Sequence, residues 1–510
     1  MRMMPDYIKA GSHNDFTGRD RLIYKALEIL PAFLSWGTLG AVVFFSWASP
    51  VGVAIFIILF DIYWLIKTVY LSLHLRANWK RLKHNLAVDW EERLQNLKWG
   101  HVWQLVILPM YKEGYEVVDE TLDSILKSKW PKDRMIIVLA VEERVKDEVA
   151  DTVQKTEEKY ASRFGRFLTA WHPAGLRNEI PGKGSNTNWA AYKVKEKIID
   201  AENIPYENIL VSSFDIDTQI YPQYFLCLTY NFLTAEYPHR SSYQPVPLFN
   251  NNVWSAPALS RVVATSGTFW QMMQQERPER LSTFSSHSMS FKMLNDVGFW
   301  QKNIVSEDSR IFWNAVLFYD GDYEVVPLTY PVSMDANVGP NLWQTIKQVY
   351  KQQRRWTWGV ENVPYLLFGF IKNKKIKLAK KLRFALTQLE GFWGLATNPI
   401  LIFILGWLPL ILGGDAFNAT LLSYNLPRIT RTLMTLAMLG LIGSVIISMS
   451  LLPPRPQGVK KSKNFSMILQ WLLIPATIIV FGAIPGLDSQ ARLALNKPLG
   501  FWVTPKIRSK

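Results

Sequence analysis

Cysteine is almost absent: the single thiol in 510 residues, Cys227, has no internal partner, so a disulfide-stapled fold is excluded. No Cys/His ladder exists to hold structural zinc. Charge is scarce too. Charged residues make up 19% of the chain, low for a soluble protein, so some apolar sequence must be buried in something other than a water-facing core. Internal repeats and low-complexity tracts are missing, which excludes solenoids and linker-like stretches. What the chain does have is apolar bulk, 49% hydrophobic with 21 Trp, 20 Tyr and 27 Phe, which excludes a disordered or fibrous protein and points to a membrane.

The net charge of +15 is unevenly spread. From Phe368 onward there are 18 Lys+Arg against three acids, Glu390, Asp415 and Asp488, so this segment carries the whole excess and the first 367 residues are balanced. Basic residues beside apolar runs fit the positive-inside bias and attraction to anionic lipid. That distribution argues against a nucleic-acid partner.

Composition divides the chain into a polar segment 1–29, an apolar block 30–75, a linker 76–98, a mixed domain 99–370, a basic stretch 371–398, a second apolar region 399–486 and a basic tail 487–510. The block 30–75 breaks near Ser49-Pro50, room for two spanning helices of about 20 residues and a tight turn. It is too long for a cleaved leader and no small-residue cleavage site follows it. Arg19, Arg21 and Lys25 before it, with Arg76, Lys80, Arg81 and Lys83 after it, put both flanks and the domain that follows on the cytoplasmic side of the plasma membrane. Further spans are expected at 395–412, 432–452 and 465–484, five in all, with 384–398 either interfacial or re-entrant. Five crossings leave the basic tail outside, in conflict with its charge.

Between the apolar regions, short β-rich runs at 102–108, 135–141, 167–171 and 209–214 alternate with helical stretches, the pattern of an α/β domain with a mainly parallel sheet. Ligands bind such sheets at the carboxyl ends of the strands. One run ends in Ser212-Ser213-Phe214-Asp215-Ile216-Asp217-Thr218, two aspartates one residue apart, suited to a diphosphate-bound hard cation; an Asp that caps the next helix explains it equally simply. Ser306-Glu307-Asp308 opens a stretch with apolar residues at Ile311, Phe312, Ala315 and Val316: Ser306 reads as an N-cap worth about 1 kcal/mol, or Asp308 reads as a general base. In Gln352-Gln353-Arg354-Arg355-Trp356, the aromatic and basic residues, with Trp343 and Trp358, serve as an interfacial anchor. Alternatively Arg355 neutralises a leaving diphosphate and Trp356 stacks on a sugar.

In this order and between two sets of apolar helices, the three motifs resemble the membrane-embedded family 2 glycosyltransferases, the cellulose, mannan and hyaluronan synthases among them. The resemblance covers about residues 105–358 and implies a GT-A fold, a nucleotide-activated sugar donor, Mg²⁺ or Mn²⁺, and inversion at the anomeric carbon. It implies nucleotide contacts from Tyr111, Glu113, Glu142, Lys183 and Asp215, metal binding by Asp215 and Asp217, and Asp308 as base. Glu307, Gln352, Arg355 and Trp356 fall at the acceptor and diphosphate. Glu142 stands where the family usually has Asp, which leaves uridine and guanosine donors open, with uridine favoured. His287, in Phe284-Ser285-Ser286-His287-Ser288, replaces part of an acceptor-contacting loop and is equally a structural residue. The acceptor is a growing glycan or a lipid-linked sugar; the competing class is a non-catalytic membrane scaffold with a degenerate transferase domain.

Overall fold

The computed structural model describes residues 4–505. Helices α1 (Gly18–Ala48) and α2 (Pro50–Ala87) form a hairpin turning at Ser49-Pro50, where proline at the first helical position needs no intrahelical N–H partner. Both are longer than the apolar block itself, because polar residues at either end continue the helices beyond it.

The domain that follows is built on one eight-stranded sheet: β1 (Trp103–Met110), β2 (Met135–Glu142), β3 (Arg166–His172), β4 (Ile209–Ser213), β5 (Gln219–Ile220), β6 (Ser241–Leu248), β7 (His287–Ser290) and β8 (Glu324–Ser333). Their order is β3-β2-β1-β4-β7-β6-β8-β5. The four expected strands are the parallel half, β3-β2-β1-β4. The other half is mixed, with β7 antiparallel to β4 and β6, and β6 parallel to β8. Alternation along the buried strands sorts side chains into two cores. Leu105, Ile107, Ile136 and Val138 face helix α3 (Lys183–Val194) and, past α4 (Ala258–Gln275), which packs on β6 and β8 instead, helix α5 (Glu307–Phe318), with Ala190, Ile311 and Phe312 in the same cluster. Val106, Leu108, Ile137 and Leu139 face the helices Tyr115–Leu126 and Lys146–Tyr160 on the opposite side. Burial on both faces is what makes these strands read as continuous apolar runs.

Helix α6 (Leu342–Thr357) ends the domain, and α7 (Leu378–Phe403) follows as one continuous helix across the stretch expected to be interfacial or re-entrant. It bends by 48° into Leu405–Leu412. A Cβ on Gly413 would lie 2.9 Å from Pro50, which sets the far end of this helix pair against the hairpin turn. Helix α8 (Leu421–Ser450) returns to the domain, where Trp79 donates to Ser450 (2.7 Å) and Asn250 to the Leu451 carbonyl (3.3 Å). A last long helix, α9 (Ser462–Ala494), includes the fifth expected span. Among the described residues four helices, α1, α2, α8 and α9, are each long and apolar enough to cross a membrane, and the bent α7 pair passes the same test together.

Helix α9 also touches the domain near both of its ends, while its second half packs on α1 and α7. Trp471 stacks on Phe269 of α4 at 5.5 Å, Gln470 accepts from Arg261 (2.7 Å), and Asp488 pairs with Arg354 of α6 (3.1 Å). The chain after it runs back to the strand ends, so the described part of the tail lies beside the domain. Lys506, Arg508 and Lys510 of that tail lie outside the described residues.

Candidate active site

The carboxyl ends of β1, β2 and β4 and the starts of α3 and α5 surround one pocket, closed on its far side by α6. All of the candidate residues Tyr111, Glu113, Glu142, Lys183, Asp215, Asp217, Glu307, Asp308, Gln352, Arg355 and Trp356 line it. After β1, the Glu113 carboxylate accepts from the Tyr111 backbone N–H (2.7 Å) and tightens the turn. Glu142 ends β2, buried and ion-paired with Arg144, whose guanidinium lies 4.4 Å over the Tyr111 ring.

Lys183, the first residue of α3, is the hub. Its buried ammonium donates to Asp215 Oδ1 (2.6 Å) and to both oxygens of Asp308 (2.9 and 2.8 Å), with Glu307 3.9 Å away. Burial works against the charged ammonium, but Asp215, Asp308 and Glu307 outweigh it and raise its pKa. The second oxygen of Asp215 accepts from Ser285 (2.6 Å). Asp217 turns away from this hub and is fully buried, one oxygen accepting the Asp335 backbone N–H at 2.9 Å. The two carboxylates point apart because the chain leaves β4 in a turn, closed by the Thr218 N–H donating to the Asp215 carbonyl (2.9 Å); in extended chain residues two apart would share a face.

Asp308 and Glu307 open α5, and their environments differ. Asp308 is partly exposed and held by Lys183, whereas Glu307 is 2% exposed and neither of its oxygens accepts a hydrogen bond from a described residue. Burial, and next the Asp308 charge, push the Glu307 carboxyl up to about 8, against the pull of Lys183 and Arg355. Ser306 stands at the N-cap position, yet its side chain does not cap the helix; it donates to Glu361 instead (2.6 Å). The capping expected of Ser306 is corrected on that geometry.

On α6, Trp356 is neither lipid-facing nor fully buried. Its ring packs against Phe284 (5.6 Å, edge-on) and Phe249 (5.9 Å), one face toward the pocket. Trp343 is exposed and Trp358 is buried, so the three tryptophans do not form one anchoring belt. His287 lies under the site: fully buried in β7, its Nδ1 2.7 Å from the Phe284 carbonyl, with burial lowering its pKa. It does not line the pocket.

Sequence reasoning missed one wall. Phe501, Val503 and Thr504 of the tail complete the pocket. The Arg355 guanidinium sits 4.9 Å over the Phe501 ring, and a Cβ on Gly182 would come within 2.4 Å of that ring. The only signals for this contact in the sequence were a glycine without a side chain and a short aromatic run near the C-terminus, and neither carries a distance.

Two acidic side chains at this edge give an all-oxygen donor set of the kind a hard divalent cation takes, and the Lys183 ammonium against Asp215 already marks a cation position. Among the described residues no group of three His, Cys, Asp or Glu could hold a metal by itself, so further ligands would have to come from a diphosphate and water.

The mannosyltransferase PcManGT of Pyrobaculum calidifontis, solved with GDP-Man and Mn²⁺, aligns with a TM-score of 0.44 at 13% identity, over 87% of this chain and 100% of its own. S. aureus TarS 1–349, solved with UDP-GlcNAc, aligns with a TM-score of 0.35 at 14% identity, over 66% of this chain and 89% of its own. No curated sequence matches the chain. The model of the glycosyl transferase family group 2 matches residues 210–479, from the strand that carries Asp215 through the apolar helices to α9. That match spans more than half of the chain and joins the GT-A domain to the helices around it, so the chain belongs to the family 2 glycosyltransferases.

Proposed function

We propose that the chain transfers a hexose from a nucleotide-sugar, a UDP-sugar by preference, to a growing polysaccharide, with inversion at the anomeric carbon. One observation carries the reading: a single ammonium, Lys183, touches both Asp215 and Asp308, so the diphosphate pole and the base lie within one side chain's reach. Asp308 removes the proton of the acceptor hydroxyl as its oxygen bonds to the anomeric carbon and the bond to the diphosphate breaks. Lys183 and Arg355 offset the charge that grows on the leaving diphosphate. Asp215 and Asp217 would hold Mg²⁺ or Mn²⁺, which supplies further neutralisation of that charge when bound. For Asp308 to act as base, Lys183 exchanges its hold on both Asp215 and Asp308 for a phosphate oxygen of the donor.

Tyr111, Glu113 and Glu142 receive the nucleoside. The Glu142–Arg144 pair offers an acceptor beside a donor, the complement of an N–H beside a carbonyl, which both uracil and guanine present. Gln352, Glu307 and Trp356 face the acceptor. The basic flanks of α1 and α2 put the domain on the cytoplasmic side of the plasma membrane, with lipid around the apolar helices.

A screen of UDP-hexoses against GDP-mannose with Mn²⁺ on detergent-purified protein tests this. Turnover of a UDP-hexose, lost in Asp308→Asn, is expected; turnover of GDP-mannose alone overturns the base assignment, and no turnover of any donor favours the scaffold. Elongated products support polymer synthesis, whereas single-sugar products on a lipid support the lipid-linked acceptor.

A further inference from the structure

Helix α5 carries Asp308 in its first turn, and its own residues do little to fix that turn, since Ser306 makes no side-chain cap. The fixing comes from residues more than fifty positions away. The Glu361 carboxylate accepts four hydrogen bonds: from the backbone N–H groups of Val305 (3.1 Å) and Ser306 (2.8 Å), from the Ser306 hydroxyl (2.6 Å) and from the Trp358 indole (2.9 Å). The next residue, Asn362, donates to Ser306 (3.1 Å) and Ser309 (2.9 Å) and accepts from Arg310 (2.5 Å). Asp308 thus lies inside a short stretch pinned on both sides.

We propose that Glu361, assisted by Asn362, is a positioning residue for the transfer reaction: it locks the first turn of α5 so that Asp308 points at the acceptor. The inference rests on the reading of Asp308 as the base. Its physical content lies in where Glu361 sits. The turn Trp358–Glu361 directly continues α6, the helix of Arg355 and Trp356, so the same short segment holds the acceptor wall and the base at one separation. Charge-assisted bonds to backbone N–H groups are short and directional, and a buried carboxylate that makes several of them holds its partners more rigidly than a serine cap would. The donor-binding ends of β1, β2 and β4 make no contact with Glu361 through these bonds, so its loss should misplace the base without weakening the donor.

Full-length Glu361→Gln, Glu361→Ala and Asp308→Asn proteins, assayed with the sugar nucleotide that the wild type turns over, separate the possibilities. Glu361→Gln keeps the shape and one carbonyl acceptor, and should lower the kcat of transfer about 10-fold; Glu361→Ala should lower it about 100-fold, the scale of an ångström's misplacement. The KM for donor and the thermal shift given by Mn²⁺ with the nucleoside diphosphate should stay within about twofold of wild type in both. Unchanged kcat in Glu361→Gln and Glu361→Ala overturns the proposal, and so does a parallel loss of kcat and donor binding, which marks a general structural role. If Glu361→Ala does not fold, Glu361→Gln alone decides by the same two readings. Activity in Asp308→Asn removes the base and the proposal together, a result distinct from active Glu361 variants beside an inactive Asp308→Asn.

Discussion

A carboxyl that no described donor faces, Glu307, makes stability depend on pH. Its pKa is raised in the fold from an ordinary value of 4.5 to about 8, so the folded protein keeps a proton that the unfolded chain has released. Its contribution is fully present below pH 4.5 and is lost as pH rises through about 8. Glu307→Gln, which cannot ionise, should therefore raise Tm over wild type above pH 8 and by progressively less toward pH 4.5; a Tm difference independent of pH would remove burial of the charge as the cause. At the opposite wall, the Trp356 ring is braced by Phe249 and Phe284 and presents one face to the pocket. Trp356→Ala should cut transfer to the acceptor at least about tenfold more than slow donor hydrolysis by water, with Phe restoring part of it. Equal loss of both reactions would make Trp356 a packing residue. Asp217→Asn retains an oxygen for the Asp335 N–H, so the fold should persist while turnover falls by about 10² or more at any Mn²⁺ concentration. Wild-type turnover at limiting Mn²⁺ would exclude Asp217 from the metal site.

Helices and strands bring these residues together through contacts that skip long stretches of chain. The meeting of α3 with the tail rests on Gly182, where even a methyl group would collide with Phe501. Gly182→Ala should lift the tail from the pocket, lowering transfer and exposing residues after Leu499 to limited proteolysis. Phe501→Ala removes the ring that the methyl would strike but not the backbone strain of a side chain at φ +158°, so the double variant should lose less than the sum of the single losses, a non-additivity that identifies the contact. Additive losses would mean that Gly182 acts on Lys183 and not on the tail. The sheet shows the same dependence on distant partners: β7 carries His287 and Ser288, and Ser288 hydrogen-bonds Ser212 (2.7 Å) beneath the Asp215 turn. Its sequence, His-Ser-Met-Ser, has too few apolar residues to announce a central strand.

Across the whole molecule, α1, α2, the bent α7 pair and α8 run between the domain and the Ser49-Pro50 turn, while α9 touches the domain near both ends and packs on α1 and α7 as well. The expected topology is four crossings with both ends of the chain on the domain side. Cys227 is buried, so single cysteines can be read against a low background. Asn418→Cys should react with an impermeant thiol reagent in intact cells, and Gly458→Cys and Lys497→Cys only after permeabilisation. Labelling of Lys497→Cys in intact cells would mean that α9 crosses the membrane and would contradict its packing against α4 and α6.

Local rules were enough for much of this. Alternation and apolar runs marked β1 to β4; β1, β2 and β4 are buried on both faces and carry the signal in their own residues, and β3 at the sheet edge is part-buried but still rich in aromatic and apolar residues. The helical period marked α5, whose Ile311, Phe312, Ala315 and Val316 are buried as their spacing requires. Residue type and order were also enough to bring the aspartates, the acids of α5 and Gln352, Arg355 and Trp356 to one pocket. The side that α9 and the tail occupy could not be read this way: an apolar run of spanning length buries its surface equally well in lipid or against a protein face. Only the partners of Gln470, Trp471 and Asp488 distinguish the two. The same holds for Glu361 and Phe501, whose importance lies in groups brought near them by the fold, and a sequence carries no record of that proximity until the chain has closed on itself.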